Sequence, residues 1–276
     1  MIMTNVMSWW GNEEQDLISY FDLNNNWTEK VTNTDCTSML ASGSEVRWVI
    51  DPLDSTRYVA ARSTSTAGSS GNTHGLHNIM FADPRSYQSG SGNPSSFKRF
   101  IPAYTSKHYD SNIYSELLGN TVEFMYLKTT VADANNRYIL CGYDYAGNSR
   151  PGTVMGYDIV QYNSTVIIYC RNTSTTSQGS SYTLYSSMQA NIWYKFKIHF
   201  ISVTSSSYRI IVELFDSDDT LLAVYNDQSK TVPCGQNSSN TNDREIRFFN
   251  SNYNWNKGWP NITGCLKEFK IYPTII

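Results

Sequence analysis

Two carboxylates three residues apart, Asp51 and Asp54 in the run "EVRWVIDPLDSTRYV", are the side chains best spaced for metal-assisted chemistry. Hard cations take clustered oxygen ligands, and a pair of such ions can clamp an attacking water and a leaving phosphate. On that reading Asp51 and Asp54 hold Mg²⁺ and the chain is a metal-dependent phosphomonoesterase. The competing reading is local: "VRWVI" is a strand and "DPLDST" a turn, with Pro52 presetting φ and Asp54 or Ser55 hydrogen-bonding its own backbone. A strand boundary then falls at Ile50.

Other groups point to other chemistry. His74 and His77 in "GNTHGLHN" are three apart, but no further Cys or acidic ligand is placed nearby to complete a zinc site. The carboxylates of "DSDDT", Asp216 to Thr220, can hold Ca²⁺ or can form an acidic hairpin tip, and no other cofactor is expected. Hydrolysis of glycosidic bonds needs an acid and a second carboxylate held at a fixed separation, and no Glu-x-Asp-x-x-Glu spacing is present to supply them. In "FFNSNYNWNKGWPN", Tyr253, Asn254, Trp255 and Trp259 combine rings that can stack on a sugar face with amides that both donate and accept. The alternative for either Trp is a plug in the end of the core. This segment lies between two expected strands, where an end loop on a rigid scaffold is suited to binding.

The elements that must position these residues are strands. The chain has 276 residues, 40% hydrophobic and 16% charged, enough for one substantial core or two small ones. Its 20 Tyr and 7 Trp stand in a background of Ser, Thr and Asn, which pairs β-favouring rings with turn-forming side chains. The net charge of -3, with no basic stripe, argues against nucleic acid as a partner. No apolar run is long enough to span a bilayer as a helix, and the start "MIMTNVMSWWGNEEQD" carries no recognisable secretion signal.

From Asn120 onward strands follow one another. "NTVEFMYLKTTV" and "NRYILCGYDY" precede "TVMGYDIVQYNSTVIIYCRN", in which Asn163 and Ser164 form a hairpin turn. In "WYKFKIHFISV", Tyr194, Phe196, Ile198 and Phe200 fall on one face and Lys195, Lys197 and His199 on the other, which makes His199 a solvent-face residue. "YRIIVELF" and "TLLAVYND" flank the acidic turn, and "EIRFFNSN" and "CLKEFKIYP" close the chain. The expected fold is all-β: an antiparallel two-sheet jelly-roll sandwich in one domain over residues 17–276. Residues 1–16 form an N-terminal extension, and the Ser- and Gly-rich stretch at about 60–112 forms inserted surface loops.

The order "LISYFDLNNNW", "NTVEFMYLKTT", "IWYKFKIHF", "YRIIVELFDSDDTLL" and "TGCLKEFKIYP" resembles the laminin-G-like branch of the concanavalin A-like lectin and glucanase jelly rolls. That resemblance implies a last strand of Gly-Cys-apolar type returning beside the first, and a hairpin turn at Asp218-Asp219-Thr220 where the family usually has Gly. It also implies a disulfide between Cys234 and Cys265, worth about 3–4 kcal/mol in the chain-entropy model. Cys141 and Cys170 read as buried free thiols, and Cys36 is unassigned.

The run "WVIDPLDST" also resembles the metal-binding signature of the inositol monophosphatase superfamily, in which Asp51 and Asp54 would be the ligands. It departs from that signature in three places. Ser55 stands where the family has Gly, Glu13 and Glu14 lie far from Asp51, and no Trp is followed by Asp. Sequons at Asn26, Asn163, Asn172, Asn237 and Asn261 matter only in a eukaryotic secretory pathway.

The function expected is therefore a non-catalytic binding or adhesion module for glycans or a protein surface, on a virus or phage particle or an extracellular surface. A structural, cementing virion protein without glycan binding is the first alternative, and the Asp51/Asp54 phosphatase the second. A homo-oligomer or virion assembly is compatible with either non-enzymatic reading.

Overall fold

The computed structural model describes residues 17, 19–26, 28–31, 33–35, 46–62, 79–82, 118–129, 137–144, 156–171, 180–204, 207–233, 244–248 and 264–274. The strands in chain order begin with β1 (Ser19–Phe21), β2 (Thr28–Glu29), β3 (Thr34–Asp35), β4 (Val46–Asp51), β5 (Asp54–Arg62) and β6 (Ile79–Ala82). Then come β7 (Asn120–Lys128), β8 (Arg137–Asp144), β9 (Gly156–Tyr162), β10 (Thr165–Arg171), β11 (Ser180–Tyr185) and β12 (Trp193–Thr204). The series ends with β13 (Ser207–Phe215), β14 (Leu221–Tyr225), β15 (Val232–Pro233), β16 (Arg244–Phe248) and β17 (Gly264–Pro273). No helix occurs among the described residues.

The strands form two antiparallel sheets and a small ribbon. A nine-stranded sheet runs β14-β13-β12-β7-β17-β5-β4, with β1 added beside β17 and β15 beside β13. A six-stranded sheet runs β11-β10-β9-β8-β16-β6, and β2 pairs with β3 alone. The last strand does return beside the first: Tyr20 is opposite Lys270 and Phe21 opposite Phe269. The stretch expected to be surface loops contributes an edge strand, β6, paired with β16. Its Ile79-Met80-Phe81 was too short a run beside so much Ser and Gly to be read as a strand.

Alternation builds the core. Val122, Phe124 and Tyr126 of β7, Tyr194, Phe196, Ile198 and Phe200 of β12, and Ile210, Val212 and Leu214 of β13 all point between the sheets. They meet Ile159 of β9, Val166, Ile168 and Cys170 of β10, and Leu184 of β11. The rings of Phe124 and Phe196, directly paired across strands, stack at 5.2 Å. Each such side chain contributes about 1.5–3 kcal/mol through removal from water. Tyr126 donates its hydroxyl to Gln161, a polar tie between the two sheets.

Turn chemistry fixes the hairpins. Asn163 adopts φ 53° in the two-residue loop between Tyr162 and Thr165, as the Asn-Ser pair predicts. Asp219 takes φ 61° at the position where the laminin-G resemblance expects Gly. Asx geometry makes this tolerable: Asp216 Oδ1 accepts from the backbone N–H groups of Asp218 and Thr220, each at 2.9 Å. Near the chain end Glu268, at φ 54°, forms a bulge that keeps Lys267 and Lys270 on one face.

Candidate functional site

The two carboxylates of the "DPLD" run serve separate partners. Asp51 ends β4, one residue beyond the boundary expected at Ile50, and is buried. Its Oδ1 accepts from the Leu53 backbone N–H at 2.9 Å and from Trp193 Nε1 at 3.0 Å, and its Oδ2 faces Lys267 Nζ at 3.3 Å. That ammonium in turn sits 4.3 Å from the centre of the Trp193 ring. Asp54 opens β5 and uses Oδ1 on the backbone N–H and hydroxyl of Thr56, at 2.9 and 2.6 Å. Those hydrogen bonds, the hydroxyl first, hold its carboxyl below the usual value. The run is thus a strand–turn–strand hairpin, with Asp51 neutralised inside the sheet and Asp54 capping the turn.

No group of three or more His, Cys, Asp or Glu among the described residues is arranged to hold a metal ion. In the acidic turn, Asp216 is committed to backbone N–H groups and Asp219 to Lys195, so these carboxylates organise the hairpin. Cys170 and Cys265 are buried free thiols. Burial, reinforced by the nearby Asp51 carboxylate, pushes the Cys265 thiol up to about 12. Cys234, His74, His77, Tyr253, Asn254, Trp255 and Trp259 lie outside the described residues.

The face of the nine-stranded sheet turned away from the six-stranded one carries an ordered array. Register places Glu213, Lys197, Glu123, Lys270 and Tyr20 in one row across β13, β12, β7, β17 and β1. Charge alternates along it. Glu123, largely buried, meets Lys197 Nζ at 3.4 Å and Lys270 Nζ at 3.5 Å, and accepts from the Tyr272 hydroxyl at 3.1 Å. Aromatic rings fix the two ammonium groups: Lys197 Nζ lies 5.7 Å from the Phe215 centroid and 5.8 Å from that of Tyr272, and Lys270 Nζ lies 5.6 Å from that of Tyr20. Beside this row, His199 joins Glu213 through Nε2 at 3.1 Å and Thr121 through Nδ1 at 2.8 Å, and Thr121 joins Thr274 at 2.8 Å. His199 thus lies on the outward face, as its alternation predicts, and is tied there into a hydrogen-bonded network.

A second patch on this face is apolar. Val59, Ala61, Leu127, Trp193 and Cys265 form a small buried cluster beside Lys267 and Asp51. Sequence reasoning found the alternation that turns the lysines outward. It missed the row because pairing Lys197 with Glu123 and Glu123 with Lys270 depends on register between strands far apart in the chain. "KFKIHF", with Lys195 and Lys197 on one side, was the available signal; in "KEFKIY" simple alternation puts Lys267 and Lys270 on opposite faces, and only the bulge at Glu268 brings them together.

The aromatic segment between β16 and β17 is anchored in both sheets. Phe248, the last residue of β16, belongs to the six-stranded sheet, and Gly264, the first of β17, to the nine-stranded one. Gly264 is opposite Lys128, the last residue of β7, and Trp193 at the start of β12 is opposite Leu127. An ideal Cβ on Gly264 would lie 2.7 Å from Cε2 of Tyr126, so any side chain there must displace the ring.

Among curated proteins none matches the chain. In fold it is similar to the binding domain of botulinum neurotoxin serotype G, with TM-score 0.48 and 12% identity over 95% of this chain and 48% of that one. It is also similar to tailspike protein 2 from Escherichia coli O157:H7 bacteriophage CAB120, with TM-score 0.47 and 12% identity over 86% of this chain and 26% of that one. A third likeness is to the Ruminococcus gnavus IT-sialidase CBM40 bound to alpha2,3 sialyllactose, with TM-score 0.36 and 14% identity over 59% of this chain and 80% of that one. The family described as SO2946-like, C-terminal domain, matches residues 103–248, just over half of the sequence, and the chain belongs to that family.

Proposed function

We propose that the chain is a non-catalytic module that binds glycans, with Tyr253, Asn254, Trp255 and Trp259 as its contacts. The observation that carries this reading is the anchoring of residues 249–263 between Phe248 in one sheet and Gly264 in the other, which ties an aromatic, Asn-rich segment to a rigid two-sheet frame at both ends. Rings and amides of this kind recognise the two chemistries of a sugar, its apolar C–H face and its hydroxyls. The laminin-G-like branch is supported by β17 pairing with β1 and by the β13–β14 hairpin closing through the Asp216–Thr220 turn. The module is displayed on a virion or other extracellular surface, a placement that its Asn-, Ser- and Thr-rich composition supports.

The test is a glycan array probed with the wild-type protein and with Trp255→Ala and Trp259→Ala, each verified as folded by circular dichroism and melting temperature. The reading expects defined glycans bound by the wild type and lost in the variants. A wild type that binds none, and that instead buries a large interface in an oligomer, supports the structural, cementing role.

A further inference from the structure

We propose a second saccharide-binding surface, on the outer face of the nine-stranded sheet, that takes an uncharged glycan chain laid across the strands along Glu213, Lys197, Glu123, Lys270 and Tyr20. The proposal rests on the glycan-binding reading but uses none of the loop residues.

Four features of the row select that ligand. First, its charges cancel, two Lys against two Glu in register, so the row offers an anionic chain no net attraction and sets two carboxylates against it. Second, hydrogen-bonding capacity remains. An ammonium has three donors and a carboxylate about four acceptor sites, whereas among the described residues Lys197 meets only Glu123 and two rings, and Glu213 Oε1 has no partner. Sugar hydroxyls donate and accept at once, and so match alternating ammonium and carboxylate groups.

Third, the side chains are already ordered. Lys197 is held by the rings of Phe215 and Tyr272 and Lys270 by that of Tyr20, while Glu213 is tied to His199. Binding then loses little side-chain freedom. Fourth, neighbouring strands stand about 4.8 Å apart, close to the length of one pyranose ring. A chain lying perpendicular to the strands therefore presents one ring to each, ending on the aromatic ring of Tyr20.

The experiment titrates the full chain with uncharged oligosaccharides of two to five rings and with sialylated oligosaccharides of the same lengths, using wild type, Lys197→Met with Lys270→Met, Glu213→Gln, and Trp255→Ala with Trp259→Ala. In the wild type, affinity for uncharged chains should rise with length up to about four or five rings, one for each strand in the row. The paired Met variant should weaken that binding tenfold or more, and Glu213→Gln severalfold, with melting temperature retained for Glu213→Gln; the length dependence should persist in the Trp variant.

A readout that needs no variant accompanies it: saturating uncharged pentasaccharide should slow reductive methylation of Lys197 and Lys270 relative to Lys30. Unchanged methylation, a preference for sialylated chains, or full affinity in Glu213→Gln overturns the surface while leaving the loop reading in place. A wild type that binds no saccharide overturns both.

Discussion

Trp193 donates its indole N–H to Asp51 at 3.0 Å, joining β12 to β4 over the outer face of a sheet in which β7, β17 and β5 lie between them. A carboxylate that resembles a metal ligand in sequence is thereby the acceptor that fastens the β4–β5 hairpin over the sheet. Replacing it leaves the half-buried Lys267 ammonium and the indole N–H without their acceptor. Asp51→Ala should therefore destabilise the fold by about 3 kcal/mol, the lower end for a broken buried pair because Lys267 keeps some contact with water. Trp193→Phe, which keeps most of the ring, should cost about 1–3 kcal/mol. Urea unfolding measures both, and a loss under 0.5 kcal/mol for Asp51→Ala contradicts the assignment.

Metal should do nothing for this hairpin. Asp51 is held by Leu53, Trp193 and Lys267, and Asp54 by Thr56. Adding Mg²⁺ or Ca²⁺ at millimolar concentration should leave the melting temperature unchanged, and Asp51→Asn should alter stability without removing any Mg²⁺-dependent phosphatase activity. A rise of several degrees on adding Mg²⁺, lost in Asp54→Asn, favours the metal reading.

Gly264 is where the aromatic segment joins the nine-stranded sheet. A methyl group there meets the Tyr126 ring, itself held by Gln161. Gly264→Ala should cost about 1–3 kcal/mol by overpacking. Combining it with Tyr126→Leu should return less than the sum of the two separate losses. Strict additivity in denaturant titrations shows that the ring and the glycine do not meet.

Left-handed backbone at Asn163 predicts a simple pair of outcomes. Asn163→Gly should be neutral to slightly stabilising, and Asn163→Val should lose about 1–2 kcal/mol, since a β-branched side chain is strained at φ 53°. Equal stability of the two variants is the contrary result.

The buried thiol at Cys265 gives a pH dependence. Its folded value of about 12 stands above the ordinary value of 9.0, with burial as the main cause and the Asp51 carboxylate as the second. The neutral thiol's contribution is therefore complete below about pH 9 and is lost as pH rises towards 12. Cys265→Ser should flatten that part of the stability–pH curve. Alkylation of Cys265 at pH 8 should be slow in the native state and fast in denaturant, without added reductant; a requirement for reductant reveals a Cys234–Cys265 disulfide.

Much of the fold was legible because it depends on local pattern. Alternation in "WYKFKIHFISV" gave the two faces of β12, and Asn163-Ser164 gave the hairpin between β9 and β10. The return of β17 beside β1 came through the family resemblance, which quoted their residues together. What escaped was long-range register. Nothing near Asp51 in the chain announces Trp193 or Lys267, and nothing near Glu123 announces Lys270, since each pair forms only once β17 has entered between β7 and β5. Strand β6 escaped for a different reason. Its four residues lie among turn-forming Ser, Gly and Asn, where local propensity points the other way.

The most direct measurement for glycan recognition by the anchored aromatic segment is isothermal titration of the best array ligand into wild type and into Trp255→Ala with Trp259→Ala, both at matched melting temperature. Saturable binding by the wild type, weakened a hundredfold or more in the double variant, is the predicted result. Equal affinity in the two proteins contradicts it.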